Sequence, residues 1–561
     1  MQNTPKEIIV VQGWGYGGQG FLNPKNRGFL GKSLAIPSFL RYNIYIIISF
    51  IYNPVLCKGG FMTYHILSYM EEAVRKYPDR IALSDAHFRM TYREMWNYVT
   101  SFGGFLCSKL KQTRCAVAVC LRHDVYDVLS FFSIAYSGNF YVPVDLSLPG
   151  ERVKQMLAAA CPLAVLVRDG DDIPRGAAEV IPVPAEIPSS AVSDDTSPWK
   201  GGKDTDPLYL IFTSGSTGVP KGVLVSHRSV VDMVEAFHTV FSFRENAVFG
   251  NQAPFDFDVS VKDIYLSLKV GGRLEILEKK LFSFPKLLIE RLNEREVDTV
   301  IWAVPALKIM AELDAFSTDH PRHLRDIMFS GEVMPPKALA YWREKLPHAR
   351  YVNLYGPTEI TCNCTYYVVS GETPDSLPIG TAFPNCSVFL LCGDSPAQDG
   401  ETGEICVTGS CLALGYYREP QLTDAAFVRN PLVRGYTELM YRTGDMGRMQ
   451  DGLIYYMGRA DTQIKHMGHR IELAEIELCA NSIEGVDVSA CVYDSEERRI
   501  CLFYKGEADR GSVLRYLRGR LPKYMIPGAV ERCAAFPVTR TGKIDRKALL
   551  AAFLAKARGK N

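Results

Sequence analysis

At 561 residues the chain is too long for a single hydrophobic core, so two or three folding units are expected. Its 47% hydrophobic and 22% charged residues are ordinary for a globular protein and exclude a disordered or fibrous one. A net charge of +1 gives no global attraction to nucleic acid or to an anionic membrane. The charge is uneven, however: from Cys501 onward 14 Lys and Arg face 4 Asp and Glu. The 15 cysteines are scattered, with no C-x-x-C and a nearest pair at Cys362 and Cys364. Such cysteines are expected to be small buried residues in a reducing, cytoplasmic compartment, without structural zinc.

Residues 1–61 differ from the rest and are expected to be an extension outside the folded enzyme. Gly13, Gly15 and Gly18 have dinucleotide-loop spacing, but Pro24, Gly28 and Gly31 follow where a helix is required. Ile36–Leu56 is apolar yet broken by Arg41, Asn43 and Asn53, which favours an extension over an N-terminal membrane anchor. From Met62 the pattern predicts a helix over His65–Tyr77 and a strand over Ile81–Ser84. Thr91 with Glu94 three residues on forms a capping box. A strand (Ala116–Cys120), helix (Asp124–Gly138), strand (Tyr141–Asp145), helix (Glu151–Ala160) and strand (Ala164–Val167) follow. This alternation predicts an α/β fold with helix-covered, mostly parallel sheets. Residues 169–207 read as a surface connection.

Leu208–Val225, LYLIFTSGSTGVPKGVLV, is a strand, a loop of hydroxyls and glycines, and a second apolar run. Gly215, Gly218 and Gly222 let an anion approach the main chain, Thr213, Ser214, Ser216 and Thr217 add hydroxyls, and Lys221 adds a point charge. These are the parts of a polyphosphate cradle, though not with P-loop spacing. A helix from Ser226 or His227 to Phe241 comes next. In NQAPFDFDVSVKD, Asp256 and Asp258 flank Phe257, so that one faces a cavity and the other solvent; Asp263 lies on the following helix. Strands are expected at Asp298–Val304, Asp326–Ser330 and Tyr351–Leu354. Residues 400–456 read as a small β-rich subdomain with a hairpin turn at Asp451-Gly452. The final unit has helices at Glu472–Ala480 and Val513–Arg520, paired strands at Val486–Tyr493 and Ile500–Lys505, and a basic loop, Thr539–Lys547.

Singly, these motifs also fit turns and solvated charges. In order, TSGSTGVPKG, FDFDVS, NLYGPTE, YRTGD, GRADTQIKHMGHRIELAEIE and TRTGKIDRK resemble the adenylate-forming superfamily of carboxylate-activating ligases. The resemblance runs from Met62 to the C-terminus and is greatest to amino-acid adenylation domains of nonribosomal peptide synthetases and to stand-alone D-alanine–carrier protein ligases. It implies a large ATP- and substrate-binding domain over 62–460 and a small mobile α+β lid over 461–561.

By this resemblance the enzyme is an AMP-forming ligase that uses ATP and Mg²⁺. Residues 213–221 hold the leaving phosphates, Tyr355 stacks on adenine, Thr358 contacts the α-phosphate and Glu359 binds Mg²⁺. Asp445 and Arg459 hold the ribose and adjacent phosphate, Asp461 is the hinge, and Lys543 bridges the substrate carboxylate and the α-phosphate. Asp258 matches the acid that clamps an α-ammonium, which favours an amino acid over the acyl or aryl acid of a CoA synthetase, the alternative reading. The other pocket positions are Val259, Lys262, Trp302, Met328, Ser330, Leu354, Cys362 and Asn363. Lys262 either pairs with an acidic substrate side chain or snorkels out of the pocket. The chain ends 14 residues after Lys547, so the thiol acceptor is expected in trans. A phosphopantetheinylated carrier protein is the expected acceptor, with Arg515, Arg518 and Arg520 as candidate contacts; neither nucleic acid nor membrane is expected as a partner.

Overall fold

The computed structural model describes residues 65–173, 178–186, 198–215, 220–372, 374, 376–459, 463–538 and 544–558. The readings of residues 1–61, of Ser216, Thr217 and Gly218, and of Asp461 and Lys543 lie outside them.

Two sheets of parallel strands form the frame of a large N-terminal domain. One has nine strands, with Arg350–Tyr355, Asp326–Ser330, Thr299–Ala303, Val248–Asn251, Arg273–Ile276 and Ile81–Ser84 parallel in that order and antiparallel strands at both edges. The other has seven, including the parallel set Phe140–Asp145, Ala116–Leu121, Ala164–Val167 and Glu179–Pro182. Pro207–Thr213 joins this sheet beside Phe140–Asp145, and Lys221–Ser226 turns back antiparallel along it. Parallel strands must be covered on both faces. Helix Val125–Tyr136 accordingly has no exposed position, and Gly103 of Tyr92–Leu110 gives it room: a Cβ there would lie 2.6 Å from the Tyr136 ring.

Local signals in the sequence are realised as read. Thr91 and Glu94 form the capping box, and Ser226 caps His227–Phe241 by accepting from the Ser229 amide. The hairpin at Asp451-Gly452 has positive φ at both residues (51° and 76°), the geometry that matches strand twist. Several boundaries and strands differ from expectation, among them Glu179–Pro182, a sheet strand within the stretch read as a surface connection. The helix expected at Val513–Arg520 begins earlier, as Arg510–Arg518, because the Asp509 side chain caps the amides of Gly511 and Ser512. Val248–Asn251 and Arg273–Ile276 were not anticipated, yet they lie side by side within the nine-stranded sheet.

An antiparallel sheet built on Cys386–Cys392, Thr402–Gly409, Leu439–Gln450 and Leu453–Arg459 adjoins this frame. The smaller C-terminal domain starts with a hairpin, Gln463–His466 and His469–Glu472. Its three-stranded sheet, Val486–Asp494, Arg499–Gly506 and Ala529–Arg532, packs with helices Leu473–Asn481 and Arg510–Arg518 on a core of its own. Among the described residues no helix is long and apolar enough to cross a membrane.

Candidate active site

The C-terminal ends of parallel strands from both large sheets meet at one cleft, where ligands bind in open α/β sheets. Ser330, Tyr355 and Thr213 are each the last residue of their strand. The roof comes from the small domain. The cleft has a volume of about 50 Å³ and is lined on the large-domain side by Asp258, Val259, Ser330, Thr358, Cys362 and Asp445, and on the roof by Lys465, Gly468 and Arg470. The loop after Tyr355 is tightly drawn: a Cβ on Gly356 would lie 2.6 Å from Asn363 Cα, and Thr361 and Cys362 both have positive φ. Strain of this kind is held by surrounding packing and concentrates at functional sites.

Asp258 precedes helix Val259–Lys269 and is 5% exposed. Burial raises its carboxyl above the ordinary range, opposed by a hydrogen bond from Thr358 and by the nearby Lys262 charge. No cation among the described residues pairs with it within 4 Å. Asp256, expected in solvent, is instead half-buried, and burial raises it to about 6. Lys262 does not snorkel. It is fully buried, with Nζ donating to Asn363 Oδ1 at 2.7 Å and to Cys362 Sγ at 3.2 Å. Its stem starts on a helix whose first ten positions are all buried, which leaves no route to solvent.

The Ser330 hydroxyl is buried at the cleft without a hydrogen-bond partner among the described residues, which leaves it for a ligand or water. Trp302, expected in the pocket, faces the other way. Its indole nitrogen donates to the Gly250 carbonyl at 2.8 Å, and its ring packs on Phe282 and Trp342 in a second core. Strand alternation explains this, since Ile301 and Ala303 point opposite to Trp302. Met328 and Leu354 are buried in the main core behind the cleft rather than on its wall.

Glu359 is the centre of the charged end. It is fully buried; Oε1 accepts from the Tyr416 hydroxyl at 2.7 Å and lies 3.4 Å from Lys221 Nζ, and Oε2 accepts from Arg470 at 2.7 Å. Burial pushes this carboxyl up, but the Arg470 and Lys221 cations outweigh it and hold the group well below the usual carboxylate range. Thr213 bonds across the strand pair to the Lys221 carbonyl at 3.5 Å. Beyond Glu359, Asp445 accepts from the Tyr355 hydroxyl at 2.6 Å and from Arg459 at 2.5 Å. Lys465 lies 5.1 Å from the Tyr355 ring centre and 5.7 Å from that of Tyr456.

The structure thus brings Asp258, Val259, Ser330, Thr358, Cys362, Asp445 and Arg459 to one cleft, with Lys221 and Glu359 at its edge. Sequence reading missed the individual importance of Lys465, Arg470 and Tyr416. The motif that holds Lys465 and Arg470 was seen, and their signal was two cations inside a hairpin otherwise anchored by buried Ile471 and Gln463; Tyr416 lies outside the six motifs. Mg²⁺, expected at Glu359, does not fit beside it as arranged here. Both carboxylate oxygens are already engaged by cations, and no group of three potential metal ligands occurs among the described residues.

Comparison with known proteins agrees with this geometry. The model of the AMP-binding enzyme family matches residues 70–417. D-alanine–D-alanyl carrier protein ligase of Bacillus licheniformis is 33% identical over 504 residues, covering 85% of this chain and 98% of that protein. The protein of the same name from Bacillus cytotoxicus is 32% identical, covering 86% and 99%. Among solved structures, holo-PA1221, an NRPS protein containing adenylation and PCP domains, superposes with a TM-score of 0.76 at 24% identity, covering 87% of this chain and 84% of that one. The Klebsiella oxytoca NpsA-ThdA adenylation–PCP fusion gives 0.74 at 22%, covering 89% and 98%. These last two carry the fold. With a family match over more than half its length and relatives above 30% identity covered almost end to end, the chain belongs to the AMP-binding enzyme family.

Proposed function

We propose that this chain is an ATP-dependent amino-acid adenylating ligase that passes the aminoacyl group to the phosphopantetheine thiol of a separate carrier protein. The observation that carries the reading is Asp258: a buried carboxylate on the cleft wall with no cation paired to it among the described residues. Burying a charge is costly unless a partner compensates it. An α-ammonium is that partner, whereas an acyl or aryl acid leaves the cost unmet. The relatives' name makes D-alanine the first substrate to test, and Trp302, turned into the core, takes up no space in the cleft.

In the first step a substrate carboxylate oxygen attacks the α-phosphorus of ATP; a P–O bond forms and pyrophosphate leaves with the electron pair of the α–β bond. The nucleophile is already ionised, so positioning and charge stabilisation replace a general base. Asp258 orients the ammonium, and Thr358 contacts the α-phosphate. Residues 213–221 receive the leaving phosphates, while Tyr355, Asp445 and Arg459 hold adenine and ribose. Lys543 acts in this step and moves with the small domain about Asp461. In the second step the carrier thiol attacks the acyl carbon; a thioester forms and AMP leaves. Magnesium accompanies the triphosphate in this proposal, and binding it at Glu359 requires Arg470 to withdraw. Carrier docking uses the basic face of helix Arg510–Arg518 with Arg515, Arg518 and Arg520, and the enzyme works in the cytoplasm.

The test is exchange of radiolabelled pyrophosphate into ATP across L- and D-amino acids and a set of acyl and aryl acids, with and without Mg²⁺. Metal-dependent exchange with an amino acid, followed by loading of a phosphopantetheinylated carrier, is expected. Exchange confined to acids without an amino group, with coenzyme A as acceptor, would replace this reading with an acyl- or aryl-CoA synthetase.

A further inference from the structure

Ser214 and Gly215 begin the loop proposed to receive the leaving phosphates, and the inference here rests on that reading. In this structure their donors are already taken by the small domain. The Gly215 amide donates to Glu475 Oε2 at 3.3 Å. The Ser214 hydroxyl donates to the Arg470 carbonyl at 2.7 Å and accepts from the Glu472 amide at 3.2 Å. Glu475 lies in the first turn of helix Leu473–Asn481, its side chain 1% exposed. Its other oxygen pairs with Arg152 from helix Gly150–Ala160 of the large domain, itself 7% exposed.

A carboxylate on a loop amide, backed by a guanidinium, offers that loop the same chemistry as a phosphate oxygen: negative charge on a main-chain donor. We propose that Glu475 is a positioning residue that docks the small domain by standing in for a phosphate on the Gly215 amide. Docking through Glu475 and occupancy of the loop by pyrophosphate then exclude each other. The small domain reaches this position only after pyrophosphate has left, which orders product release before thioester formation. The same contact explains why Arg152, remote from the cleft lining, is buried: it is the counter-ion that offsets part of the cost of burying Glu475 in a dry interface.

Linkage makes this measurable, since two ligands competing for one donor must weaken each other. Amide hydrogen exchange of Leu473–Asn481 is followed in the full chain with pyrophosphate alone. Saturating pyrophosphate is expected to speed exchange in this helix by at least about fivefold, within the usual range of coupling. In Glu475→Gln the helix exchanges fast from the start, and pyrophosphate adds less than about twofold. In turnover, Glu475→Gln lowers transfer from pre-made aminoacyl-adenylate to carrier about tenfold and sharpens inhibition by methylenediphosphonate, while ATP–pyrophosphate exchange stays within about twofold. Pyrophosphate binding that leaves helix protection unchanged in the unmodified protein would overturn the proposal. So would a variant that slows both half-reactions equally, because that marks general damage to the fold. The hydrogen-exchange arm needs no turnover, so failure to activate any amino acid would remove the proposed function without deciding this inference.

Discussion

Asp258 and Glu359 are buried carboxylates at one cleft, and their surroundings set them to opposite tasks. Glu359 is already neutralised: Lys221 and Arg470 approach its two oxygens and hold it ionised. Asp258 has a hydroxyl partner and a raised pKa, with burial the largest cause, and lines the cleft. Burial alone pushes both groups the same way, so the sign of the outcome is decided by which cations the fold delivers. One carboxylate is part of the scaffold in this domain arrangement. The other, in the proposed function, is completed by substrate.

The sharpest way to break this comparison is to remove each acid. Asp258→Ala is expected to lower exchange with amino acids by about 3–5 kcal/mol in kcat/KM, the usual loss when a buried charge partner is deleted. Unchanged amino-acid turnover would mean that Asp258 is not the ammonium site. Glu359→Gln should cost less, about 2–3 kcal/mol, because Lys221 and Arg470 are left facing a neutral amide. The pairing itself is read from a cycle with Arg470→Gln: if Glu359 and Arg470 form one unit, the double variant loses about 1 kcal/mol less than the two singles together. Strict additivity would show the contact to be energetically idle.

Acid should separate the two groups without mutation. A raised pKa means Asp258 takes up a proton above the ordinary carboxylate range, and a protonated Asp258 cannot pair with an ammonium. The KM for amino acid is therefore expected to rise as pH falls, by up to about tenfold per unit once protonation sets in. Glu359 is held below that range and stays ionised over the same interval, so the KM for ATP should hold. The smallest effect is expected outside both sites: deleting residues 1–61 should leave exchange within about twofold, as for changes remote from any functional contact. Loss of activity on truncation would move the start of the enzyme upstream.

Much of this arrangement is legible in the chain itself. The strand–loop–strand of Leu208–Val225, the Asp258 turn, and the order of the six motifs mark a nucleotide- and carboxylate-activating ligase, because backbone approach to phosphates demands glycines and hydroxyls in a short local stretch. Capping at Thr91 and Ser226 and the Asp451-Gly452 turn are equally local. Tertiary structure alone decided which way each pocket side chain points and which charges meet. Trp302 turns from the cleft because a one-residue step along a strand reverses its face, and Lys262 stays inside because its helix is covered on all sides. Arg470 reaches Glu359 across 111 positions of sequence, and Glu475 reaches Gly215 across 260. Such separations leave no local pattern, since the contact is made by the docking of two domains whose surfaces were each shaped by their own cores.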